Sequence, residues 1–131
     1  MKTLIVEDDF TSRLILQEIL KQFGPTHIAV NGKEAVDAMR VALKAGTPYD
    51  LVCLDIMMPE MDGKEALKQM RGLEVEKGVR STLGAKIIMT TALDDVKCFN
   101  QSFWELADAY LIKPIDRSKL LGELRKMGLI K

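Results

Sequence analysis

Asp55 ends the apolar run Leu51-Val52-Cys53-Leu54 and opens the segment Ile56-Met57-Met58-Pro59-Glu60-Met61-Asp62-Gly63. Leu4-Ile5-Val6 leads in the same way to Glu7-Asp8-Asp9, Ile87-Ile88-Met89-Thr90 to Thr91-Ala92, and Tyr110-Leu111-Ile112 to Lys113-Pro114. Each apolar run delivers a polar group at its C-terminal end, the edge at which open parallel sheets bind ligands. If the first and third runs are neighbouring strands, Glu7, Asp8 and Asp55 meet there. Three carboxylates repel one another, and away from bulk water they need a cation or protonation. An all-oxygen, carboxylate-rich set suits Mg²⁺, which keeps several waters and takes few protein ligands. Lys113 brings a fixed ammonium to the same edge and Thr91 a hydroxyl donor. A nucleophilic carboxylate, a metal, a cation and a donor together suit phosphoryl transfer. In that chemistry Asp55 attacks a phosphoryl group to give an aspartyl phosphate, Mg²⁺ neutralises developing charge, and Lys113 and Thr91 take the remaining oxygens. Singly, each of these is an ordinary polar residue at a strand end; the set carries the chemistry.

The elements that must position them alternate short apolar runs with longer segments of helical period, the pattern of a parallel sheet with helices on both faces. Five βα units are expected. Strand one covers Thr3 to Val6, and a helix from Thr11 to Phe23 follows on Leu16, Ile19, Leu20 and Phe23, stopped by Gly24-Pro25. Strand two is His27 to Val30, Asn31-Gly32 turns the chain, and helix two runs from Lys33 to Ala45 on Val36, Met39 and Leu43. Strand three is followed by a helix from Lys64 to Met70. The polar stretch Arg71 to Gly84 then reads as a solvated loop or helix extension with its charges exposed. Strand four is Ala85 to Thr91, helix four Asp95 to Leu106, strand five Ala109 to Ile112 and helix five Asp116 to Met127.

At 131 residues the chain is expected to form one domain, residues 1–131, with no linker or output segment expected after Lys131. Apolar residues make up 47% of it and Lys plus Arg balance Asp plus Glu at 19 each, as in a soluble globular protein. No basic run or arm points to nucleic acid, and no apolar stretch approaches the roughly 20 residues that span a bilayer. Met1-Lys2-Thr3 runs straight into a strand without a signal-peptide core, so a cytoplasmic protein is expected. Cys53 and Cys98 form neither a disulfide framework nor a zinc site; Cys53 reads as a small buried hydrophobe. His27 is the only histidine and has no metal-binding companion near it in sequence.

With those residues in place, the chain resembles the receiver domains of two-component response regulators, specifically the single-domain, CheY-like kind. The resemblance is carried by Leu4-Ile5-Val6-Glu7-Asp8-Asp9, Leu54 to Gly63, Thr91-Ala92 and Tyr110 to Pro114 in order, and it covers essentially the whole chain. It implies a flavodoxin-like five-stranded parallel sheet of order 2-1-3-4-5; spacing alone gives only parallel α/β. It implies that Asp55 accepts phosphate from a sensor histidine kinase or histidine phosphotransfer protein, and that Glu7, Asp8, Asp55 and the backbone carbonyl of Met57 hold Mg²⁺. It also implies a cis peptide between Lys113 and Pro114. On phosphorylation Thr91 is drawn to the new phosphoryl group, the Tyr110 ring swings inward, and the face made by helix four, strand five and helix five changes shape.

Two positions flanking the phosphoryl group, Met57 and Leu93, are apolar where relatives often carry polar side chains. Neither can orient an attacking water, so slow self-hydrolysis is expected. Leu106 stands where many relatives place the glycine that ends helix four. The resemblance describes a monomeric signalling switch that catalyses its own phosphorylation and dephosphorylation, rather than an enzyme. The output partner is a flagellar motor switch, as in chemotaxis, or a phosphorelay component.

Three other readings compete. A haloacid dehalogenase-like phosphatase needs a second carboxylate two residues after the nucleophile, where Met57 stands. A flavodoxin must cradle the FMN phosphate in its first loop, and Glu7-Asp8-Asp9 would repel it. A receiver-like docking module independent of phosphate would be signalled by loss of Asp55, Asp8 or Lys113, and all three are present.

Overall fold

Five strands form one parallel sheet in the order β2-β1-β3-β4-β5: β1 Thr3–Val6, β2 Thr26–Ala29, β3 Leu51–Asp55, β4 Lys86–Thr91 and β5 Ala109–Ile112. The structure is a computed structural model, and it describes residues 1–56, 58, 61–79, 83–92 and 106–131. The helices described are α1 Phe10–Leu20, α2 Gly32–Ala45, α3 Gly63–Glu76 and α4 Arg117–Lys126. The α4 helix is the fifth helix expected from sequence. The expected helix from Asp95, with Leu93, Met57 and Cys98, lies outside the described residues; Leu106, where that helix was to end, sits in a turn.

The three central strands are buried on both faces, so they read as continuous apolar runs rather than alternating ones. Their side chains nonetheless divide by the period of two. Leu4, Val6, Val52, Leu54, Ile87 and Met89 face one core, filled by Val36 and Met39 of α2 and Leu67 and Met70 of α3. Ile5, Leu51, Cys53, Ile88 and Leu111 face the other, packed by Leu16, Ile19 and Leu20 of α1 and Leu120 and Leu124 of α4. Cys53 is one of these core residues, and burial pushes its thiol up to about 12, which leaves it an inert hydrophobe.

Polar side chains start all four described helices. Asp9, Asn31, Asp62 and Asp116 each accept a hydrogen bond from the backbone N–H three residues on. The expected boundaries shift accordingly. Helix α1 begins at Phe10 and tightens into a 3-10 turn at Lys21–Phe23, β2 begins and ends one residue earlier than expected, and Asn31-Gly32 opens α2 instead of forming a separate turn.

The polar stretch after Met70 continues α3 as far as Glu76, and its charges are not all solvated. Glu74 is buried, and Arg71 donates to the Leu106 carbonyl at 3.0 Å, to Glu74 Oε1 at 2.8 Å, to the Ala85 carbonyl at 2.8 Å and to Asp108 Oδ2 at 3.0 Å. Glu74 Oε2 in turn accepts from the Ala85 N–H at 2.7 Å, and Asp108 Oδ2 from the Ile87 N–H at 2.8 Å. The network ties the end of α3 to the beginnings of β4 and β5, at the sheet edge opposite the C-terminal ends of the strands. Loss of the Glu74 carboxylate leaves the buried Ala85 N–H unpaired and takes from the part-buried Arg71 guanidinium one of its two carboxylate partners. Glu74→Ala is therefore expected to cost about 2–4 kcal/mol of folding stability, read as a lower urea midpoint with an unchanged slope.

Candidate phosphoacceptor site

The same alternation that builds the second core builds the site. Two residues beyond Ile5, Cys53 and Leu111 stand Glu7, Asp55 and Lys113, so the three follow their strands' inner-face positions out to the C-terminal edge. Because β1 and β3 are neighbours with Val6 paired to Leu54, Glu7 and Asp55 emerge side by side. The order in which strands are added across the sheet reverses at this pair, β2 lying on one side of β1 and β4 beyond β3, which makes it the switch point of the sheet.

Glu7 is fully buried and Asp55 nearly so, while Asp8 is exposed. One carboxylate oxygen from each can be chosen so that all three lie within 4.8 Å of one another. The Lys113 ammonium donates a hydrogen bond to Glu7 Oε1 at 3.1 Å and makes ion pairs with Glu7 Oε2 at 2.9 Å and Asp55 Oδ2 at 3.4 Å. Burial alone would lower the lysine pKa. The hydrogen bond to Glu7 and the charges of Asp55 and Glu7 outweigh it, so the ammonium is held above its usual value and stays charged.

The neighbouring backbone secures these groups. Glu7 N–H donates to the Ala29 carbonyl at 3.0 Å, Ile56 N–H to the Thr90 carbonyl at 3.2 Å, and Lys113 N–H to the Thr91 carbonyl at 2.7 Å. Asp9 turns away to cap α1, and its hydrogen bonds from Ser12 hold its carboxyl below the usual range. The Asp9 N–H points back to Glu7 Oε1 at 3.2 Å. The Lys113–Pro114 peptide is cis.

Thr91 is buried at the end of β4, one residue past the Thr90 that pairs with Asp55, and its hydroxyl donates to the Ala92 carbonyl at 3.1 Å. Tyr110 lies on the edge strand β5, opposite Met89 in register and half exposed. The structure thus brings Glu7, Asp8, Asp55 and Lys113 together, with Thr91 on the adjoining strand end and Tyr110 farther along the edge.

The donor set fits a small, hard dication. It is all oxygen and carries three carboxylates, and among the described residues buried Glu7 Oε2 has the ion pair to Lys113 and no hydrogen bond. Sequence reading missed Arg13, whose guanidinium donates to the Glu7 carbonyl at 3.2 Å; its place one turn after the Asp9 cap was the available signal.

The sequence model of the response regulator receiver domain family matches residues 3–125. The chain belongs to that family. The receiver is 33% identical over 130 residues to two-component response regulator 24 of Arabidopsis thaliana, covering 98% of this chain and 84% of that protein. It is 35% identical over 133 residues to response regulator ORR41 of Oryza sativa subsp. japonica, covering 98% and 95%. It is also 33% identical to the sensory/regulatory protein RpfC of Xanthomonas campestris, but there the receiver spans only 16% of the relative's length. Among solved structures, a CheY-like receiver domain from Methylobacillus flagellatus superposes with a TM-score of 0.78 at 28% identity, over 97% of this chain and 98% of that one. The receiver domain of the sensor histidine kinase PA1611 from Pseudomonas aeruginosa shares the fold at 23% identity and a TM-score of 0.75, over 97% of each chain; it was solved with a magnesium ion coordinated in its active site cleft. The protein is therefore a receiver domain of two-component signalling, with the five-stranded CheY-like fold.

Repulsion among the three carboxylates opposes folding wherever no cation offsets it. Neutralising exposed Asp8 removes part of that repulsion without opening a cavity. Asp8→Asn is expected to raise the unfolding midpoint in chelator by roughly 2–5 °C and to shrink the further rise on adding Mg²⁺, both read from thermal unfolding with and without metal.

Proposed function

We propose that this receiver is a phosphoacceptor switch in which Asp55 takes a phosphoryl group from a phosphohistidine on a sensor histidine kinase or histidine phosphotransfer protein. The observation that carries the reading is the buried Asp55 carboxylate, next to Glu7 and Asp8 and 3.4 Å from the Lys113 ammonium, at the switch point of the sheet. An Asp55 oxygen attacks phosphorus, the P–N bond to the donor imidazole breaks, and the imidazole leaves with its electron pair and takes a proton from solvent. Lys113 places positive charge beside the oxygens on which negative charge develops. Glu7, Asp8, Asp55 and the Met57 carbonyl would hold Mg²⁺, which supplies charge neutralisation at the acceptor when bound.

Once Asp55 is phosphorylated, the Thr91 hydroxyl has a charged acceptor to exchange for the Ala92 carbonyl, and β4 transmits that change to its neighbour β5. Tyr110 and the surface of β5, α4 and the segment before β5 then form the face that an output protein reads. Met57 and Leu93, apolar at the two positions that flank the phosphoryl group in the receiver family, would slow its hydrolysis. Similarity to histidine kinases, among them histidine kinase 1 of A. thaliana and hybrid signal transduction histidine kinase B of Dictyostelium discoideum, favours a phosphorelay partner over a flagellar motor switch. Neutral overall charge and the absence among the described residues of any helix long and apolar enough to cross a membrane agree with a protein that signals by protein contact in the cytoplasm.

Intact mass after incubation with acetyl phosphate and Mg²⁺ tests the reading. A single phosphoryl adduct is expected, lost in Asp55→Asn and lost when the metal is chelated. A folded protein that binds Mg²⁺ yet acquires no adduct from acetyl phosphate or from a phosphorylated histidine phosphotransfer protein would instead be a phosphate-independent docking module.

A further inference from the structure

Asn31 and Gly32 are the cap and first residue of α2. The Asn31 side-chain oxygen accepts from the Glu34 N–H at 2.8 Å, and the Glu34 carboxylate accepts from the Val30 N–H at 3.0 Å. This reciprocal capping fixes where the N-terminus of α2 stands. It stands against the loop that leaves Asp55. A Cβ added at Gly32 would overlap the Met61 carbonyl oxygen and lie 3.1 Å from the Met61 Cβ. Met61 itself has φ of 85°, in the left-handed region that side chains disfavour.

Two residues on, Gly63 closes the loop. Its N–H donates to the Ile56 carbonyl at 2.8 Å, and a Cβ there would overlap the Asp55 carbonyl oxygen and lie 2.7 Å from the Ile56 Cα. Gly32, Met61, Gly63 and the backbone of Asp55 are thus stacked at distances that leave no room for a methyl group at either glycine.

We infer that Gly32 is a positioning residue for the acceptor site: it lets α2 rest directly on the Met61 carbonyl, and so sets where Met61 and Gly63 stand against the backbone of Asp55. Gly32 lies outside the carboxylate cluster, and its influence passes through Met61 and Gly63. A methyl at 32 must displace the Met61 carbonyl, and Gly63 hands that displacement to Asp55. The cation affinity of the carboxylate cluster then falls although every carboxylate remains. The inference rests on the reading that the cluster takes Mg²⁺. Asn31-Gly32 looks in sequence like any surface turn; only the packing of α2 on the loop shows what the missing side chain is for.

Mg²⁺ titration calorimetry on wild type, Gly32→Ala and Gly72→Ala, with urea unfolding of each in chelator, tests it. Gly72 sits on α3 with open space around a built Cβ, so it serves as a control. Folded Gly32→Ala is expected to bind Mg²⁺ about tenfold more weakly, the scale seen when groups behind metal ligands are altered, while Gly72→Ala keeps the wild-type affinity. A role in folding alone would lower the urea midpoint and leave the affinity of the folded protein unchanged, which would overturn the inference. A second measurement needs no variant. Coupling is reciprocal, so Mg²⁺ must slow amide exchange at Ala35 and its neighbours at the start of α2 in the wild type. Unchanged exchange there, with Mg²⁺ bound, would equally overturn it. A wild type that binds no Mg²⁺ would remove the metal reading, and this inference with it.

Discussion

The structure is organised around a repulsion. Two acidic side chains, Glu7 and Asp55, are taken out of water side by side with Asp8 at the rim, and the Lys113 ammonium reaches across to both buried members. Isolated buried carboxylates of this kind would cost several kcal/mol each. They persist because a cation lies among them and because the strands that carry them have no freedom to separate. Every central strand is locked into the sheet on both sides and sandwiched between two apolar cores. The rigidity of the middle of the sheet is what allows its C-terminal edge to hold an electrostatically unfavourable arrangement, and such an arrangement favours added positive charge.

Opposite that edge the chain deals with charge in another way. Arg71, Glu74 and Asp108 satisfy one another and the surrounding backbone almost completely, and they fasten α3 to the starts of β4 and β5. At the acceptor edge the charged Glu7 Oε2 is buried without a hydrogen bond among the described residues, whereas at the far edge the buried charges have complementary partners and only the neutral Thr3 hydroxyl lacks one. The β4–β5 connection has its ends at these two edges, Thr91 beside the acceptor and Leu106 held by Arg71. In the proposed switch, a signal that begins at Thr91 would act on a segment whose far end is pinned.

Much of this was legible in the sequence, for identifiable reasons. Strands buried on both faces leave continuous apolar runs, and the polar residue that ends each run marks the functional edge; Glu7, Asp55, Thr91 and Lys113 could be picked out on that basis. Strand order could not be read from spacing and came instead from the family motifs, since several orders satisfy the same run lengths. Glu74 and Arg71 looked like part of a solvated face because their partners, Ala85, Leu106 and Asp108, are remote in sequence. Asn31-Gly32 looked like a turn because a capping residue followed by glycine has the composition of one. In both cases local chemistry was read correctly as polar or flexible, and tertiary packing decided its use.

The most direct test of the central claim is a crystal structure of the protein with Mg²⁺ and beryllofluoride, which mimics a phosphoryl group on a carboxylate. The account predicts beryllium bonded to an Asp55 oxygen, the metal held by Glu7, Asp8 and Asp55, and Lys113 and Thr91 on the fluorides. Beryllofluoride or metal bound elsewhere, or a cluster in which Lys113 keeps both partners and admits no cation, would contradict it.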